Sequence, residues 1–175
     1  MTIDQQYLNY YFGTVWQGGT KLMKETGLAL AEKIQDTEWV LDIGCGSNPF
    51  KGIITNLIGI DPANEHADYK VTIEEFRPGR QFDVALCLGS INFGDVSDIS
   101  KQIESVIRCL KPKARIYWRC NPGLQDHGND ECKKINFFPW TIEWHHQLSM
   151  HYGFCLKEVG WETNKKRIYA EWSRS

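Results

Sequence analysis

The 175-residue sequence lacks an apolar run near the roughly 20 residues that a membrane-spanning helix needs. Its first residues show no basic start followed by an apolar stretch, so no secretory signal is visible and we expect a soluble, cytoplasmic chain. It also lacks a charge excess, because 20 basic and 22 acidic residues leave a formal net charge of −2. That balance does not indicate a nucleic-acid or membrane partner.

A CxxC pair is missing as well, although the chain has six cysteines. Cys45, Cys87 and Cys120 lie in or beside apolar, strand-like segments, where small buried thiols are common. We therefore expect reduced, structural cysteines. Cys120, His127 and Cys132 are the combination that suggests a metal, but without a CxxC pair we predict no metal site.

Internal repeats and Pro/Gly/Ser-rich linkers are also absent, and 175 residues suit one domain. We predict a single domain over residues 1–175, with an N-terminal helical cap at 1–36 and an α/β core at 37–175. The stretch 5–34 has a helical pattern that is interrupted near Gly18-Gly19. Its second part has apolar residues at helical spacing and is predicted to cover a sheet.

Beyond residue 36, short apolar runs alternate with helical patterns. We predict strands at 39–43, 56–60, 68–72 (weak), 82–88, 114–119, 154–161 and 167–172, and helices at 98–110 and 141–151. Lys111-Pro112 is expected to stop the first of these helices. The alternation predicts an α/β fold, a three-layer Rossmann-like doubly wound sheet that is mostly parallel with an antiparallel C-terminal edge hairpin.

The most informative segment is Val40-Leu-Asp-Ile-Gly-Cys-Gly-Ser-Asn-Pro49. Gly44 and Gly46 allow a tight turn at the end of a strand and the close approach of a ligand. Either of the next two residues is expected to cap a following helix, with Pro49 in its first turn. Asp61 ends the next strand, where a carboxylate can accept both hydroxyls of a ribose.

A glycine turn with a distal acid fits either a dinucleotide or S-adenosylmethionine. The dinucleotide fingerprint GxGxxG/A places a small residue where this chain has Pro49. S-adenosylmethionine has no pyrophosphate and does not need that residue. Asp42 also favours S-adenosylmethionine, because an acid near the turn can order the methionine end of a cationic sulfonium.

From about Trp39 to Trp118, the sequence resembles the class I S-adenosylmethionine-dependent methyltransferases. VLDIGCG is similar to their first motif, IGIDP to their second, FDVALCLGSINF to their fourth, and LKPKARIYW to the passage into their fifth strand. The resemblance implies S-adenosylmethionine as cofactor, S-adenosylhomocysteine as product, and a small, single-domain enzyme. The implied cofactor contacts are Tyr11, Trp16, Asp42, Gly44, Cys45, Gly46, Asp61, Pro62, Thr72, Ile73, Gly89 and Ser90.

Two features depart from the family pattern. Where relatives often carry an acid beside the adenine amino group, this chain has Thr72-Ile73, followed by Glu74-Glu75. We therefore expect adenine recognition from backbone groups and Ile73. The segment between Gly46 and the second strand is short, so its helix is expected to have one or two turns.

The methyl acceptor is left open by the sequence. LGSINF lacks the Asn/Asp-Pro-Pro-Tyr sequence of amino-group methylases, which weakens an adenine or glutamine-amide acceptor. We expect a small molecule or a partner-presented substrate, with Asn92, Asn121 and His127 as candidates for acceptor contact. No single residue is compelling as a general base, and the sequence does not fix the oligomeric state.

Two alternatives remain open. The chain is also compatible with a non-catalytic S-adenosylmethionine-binding subunit that supports a catalytic partner, or with a small nicotinamide-dependent dehydrogenase, against which Pro49 argues.

Two charged or titratable runs have simpler interpretations. His145-His146 diverge by about 100° on a helix and are predicted to be a solvated or partly buried pair. The run 165–167 is predicted to be a solvated hairpin tip.

Overall fold

The computed structural model describes residues 4–16, 22–123 and 127–175, and within them six strands form one sheet in the order β2-β1-β3-β4-β6-β5. The strands are β1 (Trp39–Ile43), β2 (Asn56–Ile60), β3 (Phe82–Leu88), β4 (Leu110–Cys120), β5 (Cys155–Trp161) and β6 (Ile168–Ser173). β2, β1, β3 and β4 are mutually parallel, and β6 runs antiparallel to both β4 and β5. The predicted parallel sheet with a C-terminal edge hairpin is confirmed.

The central strands are apolar because both of their faces are covered. On β1, Leu41 and Ile43 belong to the core cluster on one side of the sheet, whereas Val40 belongs to the cluster on the other side. This alternation explains why the parallel strands read as continuous apolar runs instead of alternating with polar residues.

Two α-helices cover the first face. Helix α2 (Val96–Arg108) begins at Asp95, whose side chain accepts from the backbone of Ser97 and Asp98, while Asp98 accepts from the Asp95 backbone in a capping box. Helix α3 (Ile142–His151) begins after Thr141, which accepts from the amide of Trp144 at 3.1 Å. Both helices thus start where a side chain satisfies otherwise unpaired amides.

The predicted helix at 98–110 is displaced by two residues. It ends before Lys111-Pro112 because Leu110 already pairs with Phe82 in the sheet, so β4 begins at once and runs through the proline. The helix therefore ends at Arg108, where the chain turns to join the sheet.

The second face has a thinner cover than predicted. The second part of the helical pattern before residue 34 yields a 3-10 helix, Leu28–Lys33, which follows the extended Gly27. Leu30 is buried against Val40, but Leu22 is 98% exposed and does not contact the sheet. Gly18-Gly19 lie outside the described residues.

Two further expectations are wrong. Residues 68–72 form no strand, since Tyr69 makes only an isolated bridge to Ile60, while the Asp68 carboxylate accepts from the Gly59 amide at 2.8 Å. After the glycine turn the chain makes successive turns instead of a helix. Asn48 has a left-handed φ of 58°, which a helix start cannot contain, and its side chain donates to the carbonyl of His66.

The N-terminal segment comprises α1 (Gln5–Tyr10) and a π-helical turn (Tyr11–Val15). It packs on Cys132, Ile135 and Phe137 in the segment that follows β4. The six cysteines are free thiols, and five of them are buried. No helix in the described ranges is both long and apolar enough to cross a bilayer.

Candidate functional site

A cavity of about 670 Å³ opens at the carboxyl ends of the parallel strands. β1 has β2 on one side and β3 on the other, so the connections leave in opposite directions and create a crevice. The predicted residues that line this cavity are Trp16, Asp42, Gly44, Cys45, Gly46, Asp61, Pro62, Thr72, Ile73, Gly89, Ser90, Asn92, Asn121 and His127. Of the predicted contacts, Tyr11 alone is not among the lining residues.

The glycine turn after β1 forms the floor of the cavity. Gly44 and Gly46 have left-handed φ values of 68° and 55°, which side-chain-bearing residues rarely adopt. The amides of Gly44 and Cys45 both donate to the carbonyl of Ile60, at 2.8 and 3.0 Å. The turn is therefore fixed to the end of β2, next to Asp61.

Asp61 is held by the turn that it faces. Its Oδ2 accepts from the amide of Gly46 at 2.9 Å and its Oδ1 from the amide of Ala63 at 2.7 Å. Each carboxylate oxygen has further acceptor capacity. The two oxygens are thus oriented and half-buried on the cavity wall, as a pair of acceptors for neighbouring hydroxyls requires.

Asp42 lies deeper, and only 3% of it is exposed. Burial, together with the charge of Asp61, raises the pKa of the Asp42 carboxyl to about 7. Burial also raises the pKa of the neighbouring Cys45 thiol well above its usual range, so that group is a neutral thiol. A cation placed at this wall would favour the ionised form of Asp42.

The apolar wall comes from Ile73, which is 5% exposed and packs with Phe76 in the main core cluster. Beside it, the amide and hydroxyl of Thr72 both donate to the Glu75 carboxylate, at 3.1 and 2.9 Å. The Thr72 amide is therefore already satisfied, and Ile73 is an apolar lining residue at this end of the cavity.

At the opposite end, both ring nitrogens of His127 face polar groups. The Asn121 Oδ1 atom accepts from the Gly123 amide at 2.7 Å, which orients its Nδ2 toward His127 Nε2 at 3.3 Å. Nε2 consequently accepts, and the proton of the neutral ring is on Nδ1, 2.8 Å from the Tyr11 hydroxyl. Burial, with the charge of Arg119, lowers the pKa of His127 to about 4.

One prediction about this end needs correction, because Tyr11 does not line the cavity. Tyr11 is fully buried and its hydroxyl also accepts from Asn129 at 3.0 Å, so it supports His127 from behind and presents no face to a ligand. His127 is a poor candidate for a general base, because its Nε2 faces donors and its pKa is low. Trp16 does line the cavity, with its ring centroid 4.1 Å from that of His127.

Asn92 and Asn121 lie together at the ends of β3 and β4. The Asn92 Oδ1 atom accepts from the Asn121 amide at 2.9 Å, and both side chains are almost fully buried. Asn92 thereby fixes the backbone that carries Asn121. These two residues border the cavity chiefly as elements that hold its shape.

The sequence interpretation missed two arginines in the lining. Arg119 is the penultimate residue of β4, and Arg167 precedes β6. Arg167 is only 5% exposed, so the predicted solvated hairpin tip is wrong at this position. A charged residue at the carboxyl end of an apolar strand, as in IYWRC, was the available signal for Arg119.

His145 is a further correction, because it is fully buried, whereas His146 is exposed. Its ring stacks on Trp140 with centroids 4.6 Å apart and accepts from the Trp172 indole. It lies in the core, away from the cavity. Within the described residues, no three histidine, cysteine or acidic side chains come close enough to hold a metal ion.

No family model matches this sequence, and no curated protein matches it either. Solved structures do resemble it. One is the 1,6-didemethyltoxoflavin-N1-methyltransferase of Burkholderia thailandensis, bound to 1,6-didemethyltoxoflavin and S-adenosylhomocysteine, with 13% identity, 97% of this chain and 86% of that chain covered, and a TM-score of 0.71.

A second is the magnesium protoporphyrin IX methyltransferase of Synechocystis with bound S-adenosylhomocysteine, with 14% identity, 97% and 99% coverage of the two chains, and a TM-score of 0.69. A third is an N-methyltransferase of Bradyrhizobium japonicum in complex with S-adenosylhomocysteine, with 14% identity, 84% and 83% coverage, and a TM-score of 0.61. The chain therefore has the fold of the class I S-adenosylmethionine-dependent methyltransferases, as its sequence motifs predicted. At these identities the likeness establishes the fold alone.

Proposed function

We propose that the chain is an S-adenosylmethionine-dependent methyltransferase that acts on a small molecule. The observation that carries the proposal is the placement of the Gly44–Gly46 turn, the oriented Asp61 carboxylate and the apolar Ile73 around one cavity. A fold shared with enzymes bound to the cofactor or its product supports it. Those neighbours are named as methyltransferases and give no support to the alternative of a non-catalytic subunit.

The cavity also contains a buried hydroxyl group that could bind a ligand. The Ser90 hydroxyl is buried and has no hydrogen-bond partner among the described residues, although it lies at the cavity wall beside the glycine turn. A buried, unpaired hydroxyl is costly unless a ligand satisfies it. A polar group of the methionine moiety is of the right chemistry to do so.

The ribose, the adenine and the methionine portion of the cofactor would each contact a different set of lining residues. Asp61 would accept from the ribose hydroxyls, and Ile73 would pack on the adenine. Asp42 and Ser90 would face the methionine portion, with Asp42 in its ionised form opposite the positive charge. When bound, the sulfonium supplies an activated methyl group for in-line displacement.

The protein's part in the reaction is then mainly positioning. Trp16 and Asn121 line the cavity, and at the acceptor side they would hold a nucleophile in line and exclude water. His127 is neutral with its free nitrogen facing donors, so we do not assign it proton removal. The geometry favours an acceptor whose nucleophilic lone pair needs no strong base.

Calorimetric titration with S-adenosylmethionine, S-adenosylhomocysteine and NAD tests the proposal. We expect both adenosyl ligands to bind at micromolar strength, about −8 kcal/mol. Asp61→Asn should weaken them at least tenfold, since an amide cannot accept from both hydroxyls as a carboxylate does. The matched control is Asp68→Asn, because that carboxylate also accepts a backbone amide but does not line the cavity.

Asp68→Asn should leave both affinities within about twofold, because it changes no ligand contact. NAD binding as strong as that of the adenosyl ligands, or equal losses in the two variants, would contradict the proposal. Methyl transfer itself would then be followed as S-adenosylhomocysteine release from a panel of small acceptors.

A further inference from the structure

Two buried guanidinium groups meet at the acceptor side of the cavity. Arg119 is the penultimate residue of β4 and its side chain is 13% exposed, while Arg167 lies just before β6 and is 5% exposed. Since Cys120 pairs with Ile168 in the antiparallel register, the two arginines come from adjacent positions at one edge of the sheet. Both line the cavity.

Among the described residues, the guanidinium of Arg119 makes a hydrogen bond through its Nε atom alone. Its Nε donates to Glu162 Oε1 at 2.9 Å, and Glu162 also accepts from the Thr26 hydroxyl. In the described part of the chain, no acceptor lies within hydrogen-bond distance of Arg119 Nη1 or Nη2. The Glu162 pair thus fixes the direction of the guanidinium and leaves its outer fork for a planar or tetrahedral anion.

Arg167 adds a second positive charge beside this fork. Its Nη2 is 3.5 Å from His127 Nε2, at the same end of the cavity as Asn121. Burial and the charge of Arg119 lower the pKa of Arg167 to about 10, which reflects two like charges at close range in a poorly solvated site. An anion held at the fork of Arg119 would lie close to this second positive charge.

The position separates this pair from the cofactor end. Gly44 and Asp61 follow β1 and β2, whereas Arg119 is the penultimate residue of β4, which lies two strands from β1 across β3. Neighbouring strands lie about 4.8 Å apart, so the separation is on the order of 10 Å. The pair is therefore placed where the acceptor would enter.

We propose that the methyl acceptor is a small anion, whose carboxylate or phosphate group is bound by the outer fork of Arg119 with Arg167 as the second positive charge. This inference rests on the proposed function. The same anion chemistry has a second source, the carboxylate of the cofactor's own methionine, and the experiment separates the two.

The test uses the protein saturated with S-adenosylhomocysteine in a phosphate-free buffer. Benzoate, phenyl phosphate and their uncharged counterpart benzamide are titrated in turn, with binding followed by calorimetry and by NMR of the arginine Nε–H groups. We expect at least one of the two anions to bind tenfold or more tightly than benzamide, with a shift of the Arg119 Nε–H signal.

Arg119→Lys keeps a positive charge beside Glu162 and removes the outer fork. It should weaken the better-bound anion at least fivefold and leave the affinity for S-adenosylhomocysteine within twofold. Arg77→Lys is the matched control, because Arg77 is an exposed guanidinium that does not line the cavity. It should change neither affinity.

A second variant is needed if Arg119→Lys leaves Glu162 without a partner and thereby destabilises the protein. The double change Arg119→Gln with Glu162→Gln removes both charges together and leaves no unpaired buried carboxylate. It should remove the preference for the anion over benzamide.

Three results would overturn the inference. The first is benzamide binding as well as both anions, and the second is unchanged anion binding in Arg119→Lys. The third is a loss of S-adenosylhomocysteine affinity in Arg119→Lys, which would assign the fork to the cofactor's own carboxylate. Failure of S-adenosylhomocysteine to bind the unmodified protein would instead overturn the proposed function, and this inference with it.

Discussion

Gly44 and Ser90 are in direct contact across the turns that follow β1 and β3. A β-carbon built on Gly44 would lie 2.5 Å from the β-carbon of Ser90, and the φ of Gly44 is 68°. Gly46, two residues on, has a similar φ of 55° but has no atom within 4 Å of such a β-carbon. The two glycines therefore share a backbone requirement and differ in steric requirement.

Gly44→Ala should destabilise the protein more than Gly46→Ala. The left-handed conformation costs roughly 1–2 kcal/mol in either variant, whereas the contact with Ser90 adds roughly 1–3 kcal/mol of overpacking in Gly44→Ala only. Urea unfolding of the ligand-free protein measures both values. Equal losses of unfolding free energy would mean that the turn after β3 moves aside freely.

The ionisation of Asp42 predicts a pH dependence of stability. Its pKa is raised to about 7 in the folded chain and is lower when unfolded. The native state therefore binds the extra proton between these values, so this contribution is complete at low pH and is lost as the pH rises toward 7. Its slope is at most about 1.4 kcal/mol per pH unit.

Asp42→Asn should abolish that contribution, because an amide does not titrate. The difference in unfolding free energy between the wild type and the variant, measured by urea unfolding from pH 4.5 to 8, should therefore favour the wild type most at low pH. Asp36→Asn, at an exposed acid, is the control and should give a flat difference. A flat difference for Asp42→Asn as well would show that Asp42 is ionised throughout.

The same group should discriminate between the two adenosyl ligands. S-adenosylmethionine carries a sulfonium charge that the product lacks, so ionised Asp42 should favour it. We expect the preference for S-adenosylmethionine over S-adenosylhomocysteine to increase severalfold from pH 6 to pH 8, and to be constant in Asp42→Asn. A constant ratio in the wild type would place the sulfonium away from Asp42.

His145 should make the protein acid-sensitive. Burial, with a smaller effect of His146, lowers its pKa to about 3, and the ring accepts from the Trp172 indole at 3.2 Å. The unfolded chain therefore binds a proton below pH 6.5 that the native state does not, and stability falls as the pH falls. The slope of this contribution is at most about 1.4 kcal/mol per pH unit.

His145→Gln retains an acceptor for the indole but does not titrate. Between pH 6.5 and 4, its unfolding free energy should fall less steeply than that of the wild type. His146→Gln changes an exposed ring on the same helix and should keep the wild-type slope. Parallel curves for all three proteins would contradict the assignment of this acid sensitivity to His145.

The cofactor half of the candidate site was predictable because local sequence determines it. The turn with Gly44 and Gly46 ends an apolar strand, and Asp61 ends the next one, so parallel pairing alone brings them together. The order of apolar runs likewise predicts the sheet and its terminal hairpin. These features need no knowledge of distant contacts.

The half of the cavity that contains Arg119, Arg167 and His127 was not predictable in the same way. Arg167 follows two lysines, which is the pattern of a solvated hairpin tip. It is nevertheless buried beside Arg119 and His127, which come from other parts of the chain. Tyr11 similarly lies in a polar helical pattern, but its burial depends on the segment near Cys132. Contacts between residues distant in sequence determine the burial of these side chains, and the local hydrophobic pattern does not predict such contacts.

Tyr11 offers a test of how that packing supports the cavity. Tyr11→Phe removes the hydroxyl group that accepts from the Nδ1–H of His127 and from the side-chain Nδ2 of Asn129. Unsatisfied buried donors cost roughly 1–3 kcal/mol. We expect this loss in unfolding free energy, faster amide exchange over residues 8–16, and weaker S-adenosylhomocysteine binding, because Trp16 on this segment lines the cavity.

Tyr10→Phe is the matched control, since the Tyr10 side chain is 50% exposed and lies one residue away. It should change neither the amide exchange nor the affinity. If both variants behave alike, the hydrogen bond between Tyr11 and His127 does not hold the N-terminal segment against the cavity. A loss confined to Tyr11→Phe would instead establish that a side chain outside the lining controls the shape of the acceptor side, through the ring of His127.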